Sequence, residues 1–403
     1  MGEAYGATIA LDAAFHMSTY ARKPVMFVRG EGMRLYDDDG REYLDFVAGI
    51  GSVNLGHAHP AVAGAVCAQM SELVMVSNLY HTQHRGELAE TLVALFGGNA
   101  KVFFANSGAE ANEGAIKLAR KWAQSNKGPE ARTIVTAWRS FHGRTLATLA
   151  ATGQASKQDA FKPLPPGFVH VELNDIEALA AAVDETVCAV MLEPVQGEGG
   201  VFPCDPDYLL AVRELCDERG VLLIFDEVQS GIYRTGTAFA HQGYGVKPDI
   251  MTLAKSLANG LPIGALIGAG NLADVFVPGE HGSTFGGGPV VCAAARATLA
   301  AHAEEHTGAS AQRVGEHLRA GLRELADRTG AITGVRGRGL MNAFDVREPV
   351  AAELVAAALE GGLVLNNIGT NTIRLLPPLV CTSAEIDTLL SHLHAMLTRG
   401  EGS

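Results

Sequence analysis

Lys255 lies among Leu253, Ala254, Leu257 and Ile263, where lost hydration would penalise its ammonium form and leave a more nucleophilic amine, as a Schiff-base lysine requires. The alternative is a stem packed on apolar neighbours with its head in water. Asp226 ends the apolar run 221–225, and a carboxylate there needs a positive partner. A protonated ring nitrogen would serve, as would a helix N-terminus or a salt bridge. In Asn106-Ser107-Gly108-Ala109-Glu110, a small-residue turn offers free N–H groups, the Ser107 hydroxyl and close backbone approach at Gly108. That suits a phosphate, although plain strand-to-helix turns look alike. Phe141 and Arg144 could stack on a flat ring and fork onto a carboxylate, or be a core aromatic and a surface charge. Glu198, in the glycine-rich Gln196-Gly197-Glu198-Gly199-Gly200, could pair with an arginine or stay solvated. His142 receives no role.

The elements that would position these residues are strands. Short apolar runs at 101–105, 133–137, 187–192, 221–225 and 250–253 alternate with helix-like segments, the pattern of a parallel sheet covered on both faces. Ala115, Leu118, Ala119 and Trp122 form one apolar stripe on a helix after the first run. Ligands of such sheets bind beyond the carboxyl ends of the strands, where the residues above fall. A phosphate turn, an aromatic plate, a buried acid and a desolvated lysine together describe one ligand, pyridoxal phosphate. After about residue 290 the chain becomes Ala-rich and helical, with Leu318, Leu322 and Leu325 on one face. A Gly-punctuated patch at 330–339, a hairpin around 366–372 and a capping box from Thr382 to Glu385 before a last helix complete a smaller α+β unit.

The composition sets bounds. The 403 residues suffice for two domains, and 47% hydrophobic with 19% charged residues is ordinary for a globular protein. No run approaches the length of a membrane span. A formal charge of −13 with no basic block argues against nucleic acid, and six scattered cysteines suggest reduced thiols rather than disulfides or metal sites. The first 22 residues carry Glu3 and Asp12 and no base before Arg22, unlike a secretory or transit segment, so the cytoplasm is expected. His302-x-x-Glu305-His306 imitates an inverted zinc-protease motif without an evident third ligand. A dinucleotide-binding oxidoreductase is disfavoured by the missing Gly-x-Gly-x-x-Gly turn.

The ordered motifs Asn106-Ser-Gly-Ala-Glu-Ala-Asn, Phe141-His-Gly-Arg-Thr, Glu193-Pro-Val-Gln-Gly-Glu, Asp226-Glu-Val-Gln and Ala254-Lys-Ser resemble the class III aminotransferases, and within them the acetylornithine type, from Tyr20 through Leu397. The resemblance implies a type I fold of pyridoxal-phosphate enzymes, with a large domain at 51–290 and a small one built from 1–50 and 291–403. It implies that Lys255 carries the cofactor and moves the proton, that Asp226 faces the pyridinium nitrogen, and that Gln229 meets the phenolic oxygen. Phe141 would stack on the ring, and Ser107, Gly108 and Ala109 would hold the phosphate. Thr284 would reach that phosphate from the other subunit of a homodimer. Tyr20, Arg144, Glu198, Ser283 and Arg374 would bind substrate: Arg144 the distal carboxylate, Arg374 the near carboxylate of glutamate or 2-oxoglutarate, with Glu198 masking Arg374 when an ω-amine donor is bound. The implied reaction is ping-pong transfer from an ω-amino acid, N2-acetylornithine foremost, to 2-oxoglutarate. Ornithine, succinylornithine, 4-aminobutyrate or carrier-linked lysine remain as donors, and an aminomutase or decarboxylase as lesser alternatives. Gly288 departs from the asparagine common in the family.

Overall fold

The computed structural model describes residues 3–398. Its centre is a seven-stranded sheet in the order Ala100–Ala105, Gly264–Ala269, Ile250–Leu253, Leu222–Asp226, Val187–Leu192, Thr133–Ala137, Phe168–Val171. All five expected runs are strands. Two more, Phe168–Val171 and Gly264–Ala269, were not expected; the second runs antiparallel to both neighbours in a sheet that is, as expected, mostly parallel. Every residue of Val187–Leu192 and Leu222–Asp226 is buried, because helices cover both faces. Val187, Val190, Leu192, Leu223 and Phe225 point into one apolar cluster, and Cys188, Ala189, Met191, Leu222 and Ile224 into another.

The helix Gly108–Asn126 follows the first strand directly. Ser107 caps it, its Oγ accepting from Glu110 N at 3.1 Å, while Glu110 Oε2 accepts from Asn106 N at 2.7 Å. Ala115, Leu118 and Ala119 are buried on the sheet, and Trp122 is half-buried at the stripe's end.

A second core gathers Met33 and Phe46 with residues between Ala311 and Leu393, including Leu318, Leu322 and Leu325 on the helix Thr307–Thr329. Within the glycine patch, Ile332–Arg338 is a strand paired with Met341–Val346, which pairs with Thr372–Leu375. The expected hairpin joins Asn366–Ile368 to Thr372–Leu375. The helix Ser383–Thr398 starts at the capping box, with Glu385 Oε2 2.8 Å from Thr382 N. Fully buried Arg234 bridges the two cores by donating to the carbonyls of Leu340 (2.9 Å) and Pro377 (2.6 Å) and to Asn54 Oδ1. No helix among the described residues is long and apolar enough to cross a membrane.

Candidate active site

The parallel strands end on one side of the sheet, and there a cavity of about 420 Å³ opens. Nine of the residues singled out in the sequence line it: Ser107, Gly108, Ala109, Phe141, Arg144, Glu198, Asp226, Gln229 and Lys255.

Lys255 begins a short 3-10 turn after Ile250–Leu253 with φ +44°, a left-handed conformation that costs a non-glycine residue about 1 kcal/mol or more and that surrounding structure must hold. Burial pulls its ammonium below the usual lysine range, and the Arg374 charge adds to this, against the opposing pull of Glu198 and Asp226. No hydrogen bond or ion pair engages its Nζ among the described residues. The chain therefore presents an uncommitted amine to the cavity rather than a snorkelling surface lysine.

Asp226 is 4% exposed at the end of its strand. Its Oδ2 accepts from Asn112 Nδ2 at 2.8 Å and lies 2.8 Å from His142 Nδ1, while Oδ1 accepts from Val228 N at 3.0 Å. His142, left without a role by sequence reasoning, is thus the basic partner of this acid inside the chain. Burial alone would depress the imidazole, but Asp226, with Glu193 behind it, raises its proton affinity. Asn112 in turn accepts from Thr252 Oγ1 at 2.7 Å, fixing the amide that orients Asp226.

Glu193, to which the sequence reading assigns no role, follows the buried strand Val187–Leu192. Its carboxylate accepts from Phe141 N at 3.1 Å and from Gly197 N at 3.3 Å, joining the aromatic plate to the loop that carries Glu198. Burial raises its pKa to about 7. A buried strand running into Glu-Pro was the available signal. Asn112 and His142 had none, since helix-interior and turn positions reveal no partner across 84 to 114 residues.

Glu198 Oε1 lies 2.6 Å from Arg374 Nη1. Burial notwithstanding, Arg374 holds the Glu198 carboxyl below its ordinary range. Arg374 is 2% exposed, stands behind Glu198, and is oriented by Asn366 Oδ1 at 3.0 and 2.7 Å from Nε and Nη2. Arg144 is exposed at the mouth, 5.4 Å from the Phe141 ring centre. The N–H groups of Gly108 and Ala109 are among the first-turn donors that a helix leaves without internal partners. A Cβ on Gly108 would meet Val228 Cγ1 at 2.8 Å, so the turn admits no larger residue.

Arg374 itself does not line the cavity, and three further expected residues also lie outside this wall. Ser283 sits beside it, its Oγ accepting from Asn106 Nδ2 at 3.0 Å. Thr284 is exposed and lines a separate cavity with Asn78, Arg85 and Phe103. Tyr20 is 74% exposed on the irregular segment before Phe27–Glu31, so within one chain nothing carries it to Lys255. The zinc-like motif is split by the end of the helix Pro289–Glu304: His302 turns inward to Thr307 Oγ1 at 2.7 Å, and Glu305 binds His59 at 2.9 Å.

The sequence pattern of class-III aminotransferases matches residues 17–397. The chain belongs to that family. This aminotransferase is 49% identical over 391 residues to the acetylornithine aminotransferase of Caldanaerobacter subterraneus subsp. tengcongensis, covering 97% of this chain and 99% of that protein. Its backbone matches the acetylornithine aminotransferase of Elizabethkingia anophelis with a TM-score of 0.87 at 35% identity, over 98% of each chain. It also matches the ornithine aminotransferase of Toxoplasma gondii, seen with partial occupancy of pyridoxal phosphate at its active site, with a TM-score of 0.93 at 35% identity, over 97% and 94% of the two chains. The transaminase uses pyridoxal phosphate, and the wall fits it: Ser107 to Ala109 as anion donors, the acid Asp226, the Phe141 ring, and in Lys255 an amine with no partner among the described residues.

Proposed function

We propose that this enzyme moves the terminal amino group of N2-acetylornithine to 2-oxoglutarate, giving N-acetylglutamate 5-semialdehyde and glutamate, as a cytoplasmic homodimer serving arginine biosynthesis. The observation that carries the choice of an ω-amine donor is the Glu198–Arg374 pair at 2.6 Å. With Arg374 covered, a substrate bearing no carboxylate next to its reacting amine leaves no buried charge unpaired. With Glu198 moved aside, Arg374 can fork onto the near carboxylate of glutamate. The relatives named above supply the acetylated donor.

Bound pyridoxal phosphate supplies an electron sink for charge left on the substrate carbon. Lys255 Nζ would hold the cofactor and carry the proton to and from that carbon. Asp226, aimed by Asn112 and His142, would serve the ring nitrogen, and Gln229 the phenolic oxygen. Phe141 would contact the ring, Ser107 to Ala109 would bind the phosphate, and Arg144 would take the distal carboxylate at the mouth. Thr284 and Tyr20 act, in this reading, through the neighbouring subunit, and Ser283 borders the substrate. The proposed division at residues 50 and 290 draws support from Met33 and Phe46 joining the second core, although Pro289–Glu304 packs on the first.

Incubating the holoenzyme with N2-acetylornithine, ornithine, succinylornithine or 4-aminobutyrate, each with 2-oxoglutarate, and measuring glutamate tests the donor. The acetylated donor should have the highest kcat/KM; a preference for free ornithine would overturn the assignment.

A further inference from the structure

Glu198 can serve two substrates only if its loop is held firmly enough to cover Arg374 and loosely enough to leave it. The loop joins a two-strand ribbon in which Val195 faces Pro203 and Gln196 faces Phe202. Val195 and Val201, at its two ends, pack with Met341, Ala343 and Leu376 on the second sheet. Between them three glycines lie against neighbouring groups so closely that they have no room for side chains of their own. A Cβ on Gly197 would strike Gln229 Oε1 at 2.0 Å, one on Gly199 would strike Arg139 O at 2.6 Å, and Gly200 has φ +122°. Such a stretch needs polar anchors.

One is Glu193 at Gly197 N. Gln196 Nε2 donates to Trp138 O at 2.9 Å and Arg374 Nη1 to Gly197 O at 3.4 Å, and at the far end of the loop Arg336 Nε donates to Gly200 O at 2.7 Å. Its fork grips Asp345, Nη1 to Oδ2 at 2.6 Å and Nη2 to Oδ1 at 3.0 Å, and its face lies 4.2 Å from the centre of the Phe202 ring. Asp345 also accepts from Thr372 Oγ1 at 2.7 Å. In the ladder Asp345 pairs with Thr372 and Ala343 with Arg374, so Arg336 refers the Glu198 loop to the very strand that presents Arg374. A bidentate guanidinium fixes direction as well as distance, which a lone ammonium cannot do.

We propose that Arg336 is a positioning residue for substrate exchange: through Gly200 and Asp345 it holds Glu198 over Arg374, and so sets the balance between the ω-amine half-reaction and the glutamate half-reaction. The proposal rests on the reading of Glu198 as the cover of Arg374. Arg336 does not line the Lys255 cavity.

Two measurements on the holoenzyme decide it. In Arg336→Met, amide hydrogen exchange across residues 197–200 should quicken by about tenfold. The ratio of kcat/KM for N2-acetylornithine to that for glutamate, measured in the separate half-reactions, should fall by about tenfold, because the loss of one charge-assisted anchor weakens only the covered state. Asp345→Asn should move both readouts the same way without touching the loop, and Arg336→Lys should recover part of each. Unchanged exchange, or an equal loss in both half-reactions, overturns the proposal. Glu198→Gln separates the two claims: if it leaves the ratio unaltered, the cover reading fails and the exchange part of the proposal with it, whereas an altered ratio there with none in the Arg336 and Asp345 variants refutes the anchor alone.

Discussion

A carboxylate 26% exposed at its side chain and paired with an almost wholly buried guanidinium is a costly arrangement unless it can be undone for a purpose. Glu198→Gln keeps the volume and one acceptor but removes the charge that covers Arg374. The specificity for the ω-amine donor over glutamate, as the ratio of kcat/KM in the two half-reactions, should fall by about tenfold, with glutamate gaining. Equal changes in both would show that Glu198 does not discriminate. Lys255, Asp226 and Glu198 were legible because each breaks a local rule: a lysine among aliphatics, an acid closing a buried strand, an acid between glycines. His142 and Asn112 break none. Their importance lies in a shared partner, Asp226 Oδ2, which only folding places within 2.8 Å of both.

Elements were legible where composition and period agreed. Val187–Leu192 and Leu222–Asp226 are apolar throughout and became central strands. Gly264–Ala269 begins with a glycine that its setting demands, since a Cβ there would lie 2.3 Å from Ser107 O, and such a residue hides a strand from pattern reading. The strand Ile332–Arg338 was concealed likewise: Gly337 has φ +139° and no room for a Cβ beside Met341 O at 2.2 Å. The end of the helix Pro289–Glu304 carries a testable consequence. His302 is buried with Nε2 unbonded, and burial, aided by the charges of Arg234 and His59, lowers its pKa from 6.5 to about 3. Between those values the unfolded chain takes up a proton that the folded chain refuses, so stability is lost as pH falls through this window, by about 1.4 kcal/mol per pH unit for one group. In His302→Leu the drop in unfolding free energy between pH 6.5 and 4.5, measured by urea titration, should be smaller than in the parent by about 2 kcal/mol. An identical drop would mean that His302 is protonated in the folded state.

Across the whole molecule, the exposed side chains of Leu79, Tyr80 and Phe285 and the removal of Thr284 from the Lys255 cavity fit a site completed by a second copy. If so, mixing Lys255→Ala and Thr284→Ala chains should restore one whole site in each hybrid dimer. Activity after subunit exchange should rise to about a quarter of the parent's from two weakly active preparations. No gain despite verified exchange would place Thr284 outside the partner's site. The order of the motifs, the strand-then-turn grammar around each and the apolar sequence neighbours of Lys255 were determined by the sequence alone, because propensity, hydrophobic pattern and residue type are local properties. That Asp226 meets His142 and Asn112, and that Arg336 reaches a loop 136 residues away, were decided only by the tertiary structure. Pairing energies depend on distance and desolvation, and neither exists until the sheets and their crossovers bring remote segments together.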